Sequence, residues 1–386
     1  MLHRQHRSPH VSRLGTAVAL IVFTVASVLG IGGIAAAADE IYVDPAGDDA
    51  ADGSSGHPVA TIARAVKLAD DGATIVVRAG RYHESVQVYR KQVDIVAVGD
   101  VVLDGSIPVD EFMVDSTGER WSAPWTTAFD RSADSSTTSS NPEAGWPEQF
   151  FIDGVNLEQV ASLNDVVAGT FFHDQQLQQV WIADDPTGRT VVGSVLQWGV
   201  YLNEADGSSL TGVTVERYAT QASQMAAVRA YSDDLVVRGV TVRDNARIGL
   251  SVIGDRVVVD SVTATDNGHL GLHSHQSSEL HITGATVTGN NQAGFDSFHS
   301  AGGIKVTTST DLRVSSSLVS GNAGPGIWTD LDVVGAEIVG NSVYDNQRSG
   351  IEIELSSGVV VAGNDVRRND EAGICCLLYT SPSPRD

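Results

Sequence analysis

From about residue 209 onward, apolar and polar positions alternate in runs of only a few residues. Leu235 to Val242, Leu280 to Val287 and Ala336 to Val343 are typical, rich in Val and Thr and interrupted by Gly. Alternation of this kind predicts short half-buried strands, with no helical period between them. Six Asn-x-x-x-Gly marks punctuate the runs, at Asn245, Asn267, Asn290, Asn322, Asn346 and Asn369. Their spacings are 22, 23, 32, 24 and 23 residues. A fixed period in the low twenties predicts a solenoid in which each repeat covers its neighbour. Several short strands per repeat make it an all-β, parallel β-helix. The Asn column is expected to form a hydrogen-bonded ladder inside one turn.

Upstream the pattern differs. Ile41 to Val43 reads as a strand, and Ala60, Ile62, Ala63, Val66 and Ala69 recur near helical spacing. A short amphipathic helix there would plug the open end of the solenoid core and cover its edge. Residues 39–108 are therefore expected to form an N-terminal cap and the first coils. Residues 109–197 break the rhythm. Glu111 to Gly145 is polar and expected as a long loop, while Phe150, Phe171 and Val180 sit in short strand-like runs. Residues 198–375 carry the remaining coils.

The opening segment, Ile41 to Gly105, resembles that of secreted pectate-lyase-like right-handed β-helix proteins, and the resemblance resumes from Ser209 to Ile374. It implies the right-handed fold and a carbohydrate-active type of protein. The break at 109–197 is similar to β-helix glycosidases whose solenoid is interrupted by a small β-sandwich.

Arg4, Arg7 and Arg13 precede an apolar stretch from Ala17 to Ala35, and Ala36 to Ala38 offers a small-residue cleavage site. Residues 1–38 are expected to be a cleaved export signal, making the protein secreted and leaving no stable membrane insertion. Cys376 to Asp386 resembles a translated sequencing adapter, so further coils and a C-terminal cap are expected beyond it in the natural chain. Both cysteines, Cys375 and Cys376, lie at that junction, and no disulfide framework is expected. The net charge is −24; without the signal, 21 basic residues face 48 acidic ones, or −27. Such a surface argues against nucleic-acid binding and repels polyanionic glycans unless cations bridge them.

The irregular spacing of 32 locates the functional region. Counting back nine residues from the next strand start makes Gly303, not Gly294, the in-register glycine. The surplus nine residues, Gly294 to Gly302, become a loop carrying Phe295, Asp296, Phe298 and His299. Residues at Gly+1 then point inward and those at Gly+2 and Gly+4 outward. One outward column reads Ser251, His273, Lys305, Trp328, Glu352. The other reads Ile253, His275, Thr307, Asp330, Glu354, with Asp332 just beyond. Lys305 is one of three lysines in the chain. A Trp beside stacked acids is costly to expose without a ligand, and this face is expected to bind a polysaccharide or oligosaccharide.

Gly326 to Asp332 and Gly350 to Ser356 also resemble a recurring motif pair of secreted bacterial β-helix proteins, Gly-Leu/Ile-Trp-x-Asp-x-Asp followed one coil later by Gly-Ile-x-x-Glu-Ile-Ser. The matches are Trp328, Asp330, Asp332 and Glu354; Leu355 departs from the pattern.

Three activities remain open on the residues alone. A glycoside hydrolase would use Glu354 as acid/base and Asp330 as nucleophile or base, with Glu352 and Lys305 as further catalytic candidates. Trp328 would then hold a sugar ring, with His273, His275, His299 and Asp332 around it. A lyase or epimerase would take its base from Lys305, His273 or His275, with Ca²⁺ held by Asp330, Asp332, Glu352 and Glu354. A non-catalytic glycan-binding solenoid would keep Trp328 and the loop but need neither carboxylate for turnover. His273 and His275 share a strand face as zinc ligands can, without a third ligand at a matching spacing.

Overall fold

The computed structural model describes residues 39–131, 135–222 and 226–377. The expected export signal and most of the terminal adapter-like stretch lie outside them.

Parallel coils stack along one axis. Among the described residues, nine strands form one continuous parallel sheet, from Val86–Tyr89 through Ile248–Val252, Leu270–His275, Gly302–Thr307, Ile327–Asp330 and Ile351–Glu354 to Ile374–Leu377. Two further rows of three-residue strands, such as Val258–Asp260 and Thr263–Thr265, fuse into a second sheet through the long strand Ser209–Glu216. Alternation dictates what fills the centre. Leu250, Leu272, Ile304, Ile327 and Ile351 form one inward column, each at most 3% exposed. Each contributes about 1.5–3 kcal/mol by leaving water.

The asparagine ladder is present as expected. Asn Nδ2 donates to the Oδ1 of the next Asn at 2.9–3.0 Å from Asn245 through to Asn369. Each Nδ2 also reaches a core-strand carbonyl, as Asn322 does to Val287 O at 3.1 Å. Asn341 and Asn364 begin a second ladder at 2.9 Å, which two copies were too few to reveal by period.

The register through the irregular coil is also as expected. His273 pairs with Lys305 and His275 with Thr307, so Gly303 stands in the glycine column. A Cβ there would lie 2.5 Å from Gly326 O, which is why the coil contact needs glycine. Gly294 sits instead in the loop at φ +74°.

The helix spans Ile62–Leu68 and buries Ile62, Ala65 and Val66 in the core at the N-terminal end. Thr61 Oγ1 accepts from Arg64 N, and the Glu84 carboxylate accepts from Ile62 and Ala63 N at 2.8 Å. These acceptors satisfy donors that the first helical turn leaves open.

The interruption is two packed sheets. One contains Trp121–Pro124, Thr170–Asp174 and Gln179–Ile182; the other contains Ser106–Pro108, Phe150–Ile152 and Val191–Ser194. Trp125, Phe150, Phe171, Val180 and Ile182 fill the space between. The segment 111–145, expected as loop, therefore supplies the strands Met113–Val114 and Trp121–Pro124 and the buried Trp125. Its polar composition masked them because both strands are short and only Trp125, Phe129 and their neighbours face inward.

Candidate functional site

The outward face of the nine-stranded sheet carries the candidate residues in the order the repeat predicts. Ser251, His273, Lys305, Trp328 and Glu352 occupy successive rungs. Thr307 pairs with Asp330, and the same offset of one coil places Glu354 next. Upstream the first column continues through Arg229 to Tyr201.

Lys305 is the centre of the arrangement. Its ammonium lies 3.0 Å from Asp330 Oδ2, donates to the His299 carbonyl at 2.7 Å, and sits 3.3 Å from the centroid of the Trp328 ring. Burial pulls the lysine below its usual pKa range, while Asp330 pulls it back up. Asp330 Oδ1 accepts from Leu331 N at 2.7 Å. Both oxygens of Asp330 are thus held, one by a cation and one by backbone. Glu354 is half-buried, and its carboxylate takes no hydrogen bond from a described residue.

The open platform expected at Trp328 is not formed. Trp328 is 2% exposed, Glu352 1% and Lys305 5%. The nine-residue loop folds back over the sheet rather than standing away from it. Asn141 Nδ2 donates to Ala293 O and Gly294 O, and Asp296 N to Ser136 O. Arg348 closes the other end, donating to Ser297 O at 2.8 Å and lying 3.8 Å from the Phe298 ring centroid. Phe295 packs against Ala144 and Ala301 beneath. Trp328 therefore supports Lys305 from below, and Glu352 is buried under the roof with Arg348 Nη2 at 3.8 Å. Burial raises the Glu352 carboxyl. Asp330 is buried too, at 7% exposed, while Glu354 stands half-buried at the rim, next to the exposed Leu331 and Leu355.

His299 contributes its carbonyl, while its side chain is exposed. Asp332 is exposed at φ +71° in the corner after the strand. His275 Nδ1 lies 2.9 Å from Thr307 Oγ1, and His273 Nδ1 3.0 Å from Ser251 Oγ, which is 3.3 Å from Tyr231 Oη. Among the described residues, no three His, Cys, Asp or Glu side chains converge as metal ligands would. Arg348 was missed because it lies two residues before a column glycine, outside the strand positions. Arg247 and His269 occupy the same place in earlier coils, and that recurrence is the signal that marks them.

His273 gives a pH expectation. Burial, then His275 and Lys305, lower it to about 4 from 6.5. A depressed value means the unfolded chain binds the extra proton first. The associated stability is complete above pH 6.5 and is lost as pH falls toward 4. An NMR titration is expected to place the His273 midpoint near 4, and His273→Gln to flatten the loss of melting temperature across that window. A midpoint at the unfolded value would refute the packing described around it.

The comparisons with known proteins agree with this architecture. The family model described as right handed beta helix region matches residues 226–383. The chain is a right-handed parallel β-helix. A second model, for a protein family of unknown function, matches residues 45–90 in this β-helix. No curated protein matches the chain. Among solved structures, the complex of XylC with xylose superimposes with a TM-score of 0.74 at 15% identity, covering 87% of this chain and 68% of that one. A glycoside hydrolase superimposes with a TM-score of 0.50 at 12% identity, covering 88% and 97%. At these identities the likeness is one of fold.

Proposed function

We propose that this β-helix hydrolyses glycosidic bonds with Asp330 as nucleophile and Glu354 as acid/base. The observation that carries the reading is the unequal treatment of the two carboxylates. Asp330 accepts from an ammonium and a backbone N–H, donors that suit a carboxylate acting as an anion. Glu354, on the next coil, has no such donor and stands at the rim. Adjacent coils are about 4.8 Å apart, which suits the roughly 5–5.5 Å between carboxyl groups in retaining glycosidases.

The chemistry then needs only these side chains and water. Asp330 attacks the anomeric carbon as the exocyclic C–O bond breaks, and Glu354 gives its proton to the leaving oxygen. Water next attacks the same carbon, Glu354 takes a proton from it, and Asp330 is released. Lys305 keeps Asp330 oriented throughout. A lyase with Lys305 as its base would need that amine free, but the ammonium is engaged by Asp330, the His299 carbonyl and Trp328 together. A neutral glycan is the better substrate for a chain of net charge −24. Structural neighbours include a complex with xylose and a glycoside hydrolase. They lend the reading a precedent on this fold, while its weight rests on Asp330 and Glu354.

A 2-deoxy-2-fluoro glycoside with an activated leaving group tests the assignment. It is expected to inactivate the enzyme and to leave its sugar on the peptide containing Asp330, as seen by mass spectrometry. Labelling of Glu354 would reverse the roles, and hydrolysis with inversion at the anomeric carbon would replace the nucleophile by a base.

A further inference from the structure

Arg229 stands out among the described arginines. Every other one makes an ion pair or a hydrogen bond, from Arg64 on Asp49 O to Arg368 on Asp345. Arg229 makes neither, and its Nε is buried without a partner. The side chain is half-buried on the outward face of the sheet that also carries Lys305 and Asp330. Its guanidinium lies 3.9 Å from the Tyr201 ring centroid and 5.3 Å from that of Trp198. Tyr231 packs edge-on to Tyr201 at 5.6 Å.

Burying the Nε–H of a guanidinium without an acceptor is unfavourable, and aromatic faces offset only part of the loss. Among the described residues no carboxylate pairs with it, although the chain carries 48 acidic residues. Burial correspondingly pulls Arg229 below its ordinary pKa, with only Tyr201 and Tyr231 opposing the shift. A planar fork of donors matches a carboxylate with two parallel hydrogen bonds. Rings beside it offer faces on which a sugar stacks. Trp198, Tyr201 and Tyr231 are all partly exposed.

We propose that Arg229, with Tyr201 and Trp198, forms a subsite for a carboxylate-bearing sugar, a uronate, within an otherwise neutral glycan. Four coils separate Arg229 from the rung of Asp330 and Trp328. At about 4.8 Å per coil that is roughly 19 Å, a few sugar units along the face. The subsite would select glycans carrying an acidic residue at that distance from the cleaved bond. Its link to the cleaved bond rests on the hydrolase reading; the subsite itself does not.

Calorimetric titration separates the two. The probes are sodium glucuronate, its methyl ester and glucose; the proteins are wild type, Glu354→Gln, Arg229→Met and Arg229→Lys. Wild type and Glu354→Gln are expected to bind glucuronate at least about tenfold more tightly than the ester, the worth of one charge-assisted pair. Arg229→Met should lose that preference with no fall in melting temperature, because it removes an unpaired charge. Arg229→Lys should keep only part of it. Preference for glucuronate in Glu354→Gln supports the subsite even if that variant still hydrolyses glycosides. Equal affinity for acid and ester in wild type, or an undiminished preference in Arg229→Met, overturns it.

Discussion

Glu354→Gln is expected to lower turnover of an unactivated glycoside by roughly 10²–10⁴-fold, the usual worth of a positioned acid or base, with the melting temperature unchanged. The structural half follows from surroundings. Glu354 is half-buried at the rim, and no described residue donates to its carboxylate, so an isosteric amide removes no contact. The chemical half follows from the proton. An amide cannot protonate the departing oxygen, and it cannot take a proton from the incoming water. Substrates whose leaving group needs no proton should therefore lose least in the first step. Azide, which needs no base, should restore turnover when Glu354 is shortened to Ala. Kinetics on a pair of substrates with good and poor leaving groups read this out directly. Equal losses on both, without azide rescue, would assign Glu354 to binding.

Asn322→Ala is expected to cost roughly 3–5 kcal/mol of stability, the range for breaking a buried polar network. Asn322 is fully buried. Its Oδ1 accepts from Asn290 N at 3.0 Å and from Asn290 Nδ2 at 2.9 Å, and its Nδ2 donates to Val287 O and Asn346 Oδ1. Removing it orphans two donors and two acceptors that water reaches only by opening the turn. Damage should spread to both neighbouring coils, because each ladder member positions the next. Denaturant unfolding measures the loss. A change below about 1 kcal/mol, the worth of a single ordinary hydrogen bond, would mean the ladder is not cooperative. Activity under folding conditions should survive, since Asn322 faces the core and the carboxylates face out.

What could be read from the chain follows from which interactions are local to a coil. The Asn marks and the glycine column repeat because the same stacking contact recurs at every rung, so a period exposes them. That period was enough to choose Gly303 over Gly294 and so to place Lys305, Asp330 and Glu354 on one face. Coverage of that face is another matter. Whether Trp328 is open depends on Asn141 and Ser136 meeting Ala293, Gly294 and Asp296, contacts between segments more than a hundred residues apart with no repeating pattern. Arg229 and Tyr201 escaped for a simpler reason. The coils before Asn245 lack the Asn-x-x-x-Gly mark, so the outward column could not be extended to them, although the parallel strand pairing runs through them unbroken.

Incubation of the protein with neutral and uronate-bearing glycans, following new reducing ends and the ultraviolet absorbance of unsaturated uronides together, separates hydrolysis from elimination. We expect new reducing ends without absorbance, lost in both Asp330→Asn and Glu354→Gln, with melting unchanged in Glu354→Gln and lowered in Asp330→Asn, which leaves the buried Lys305 ammonium without its carboxylate. Absorbance in step with cleavage, or cleavage undiminished in both variants, would contradict the hydrolase reading.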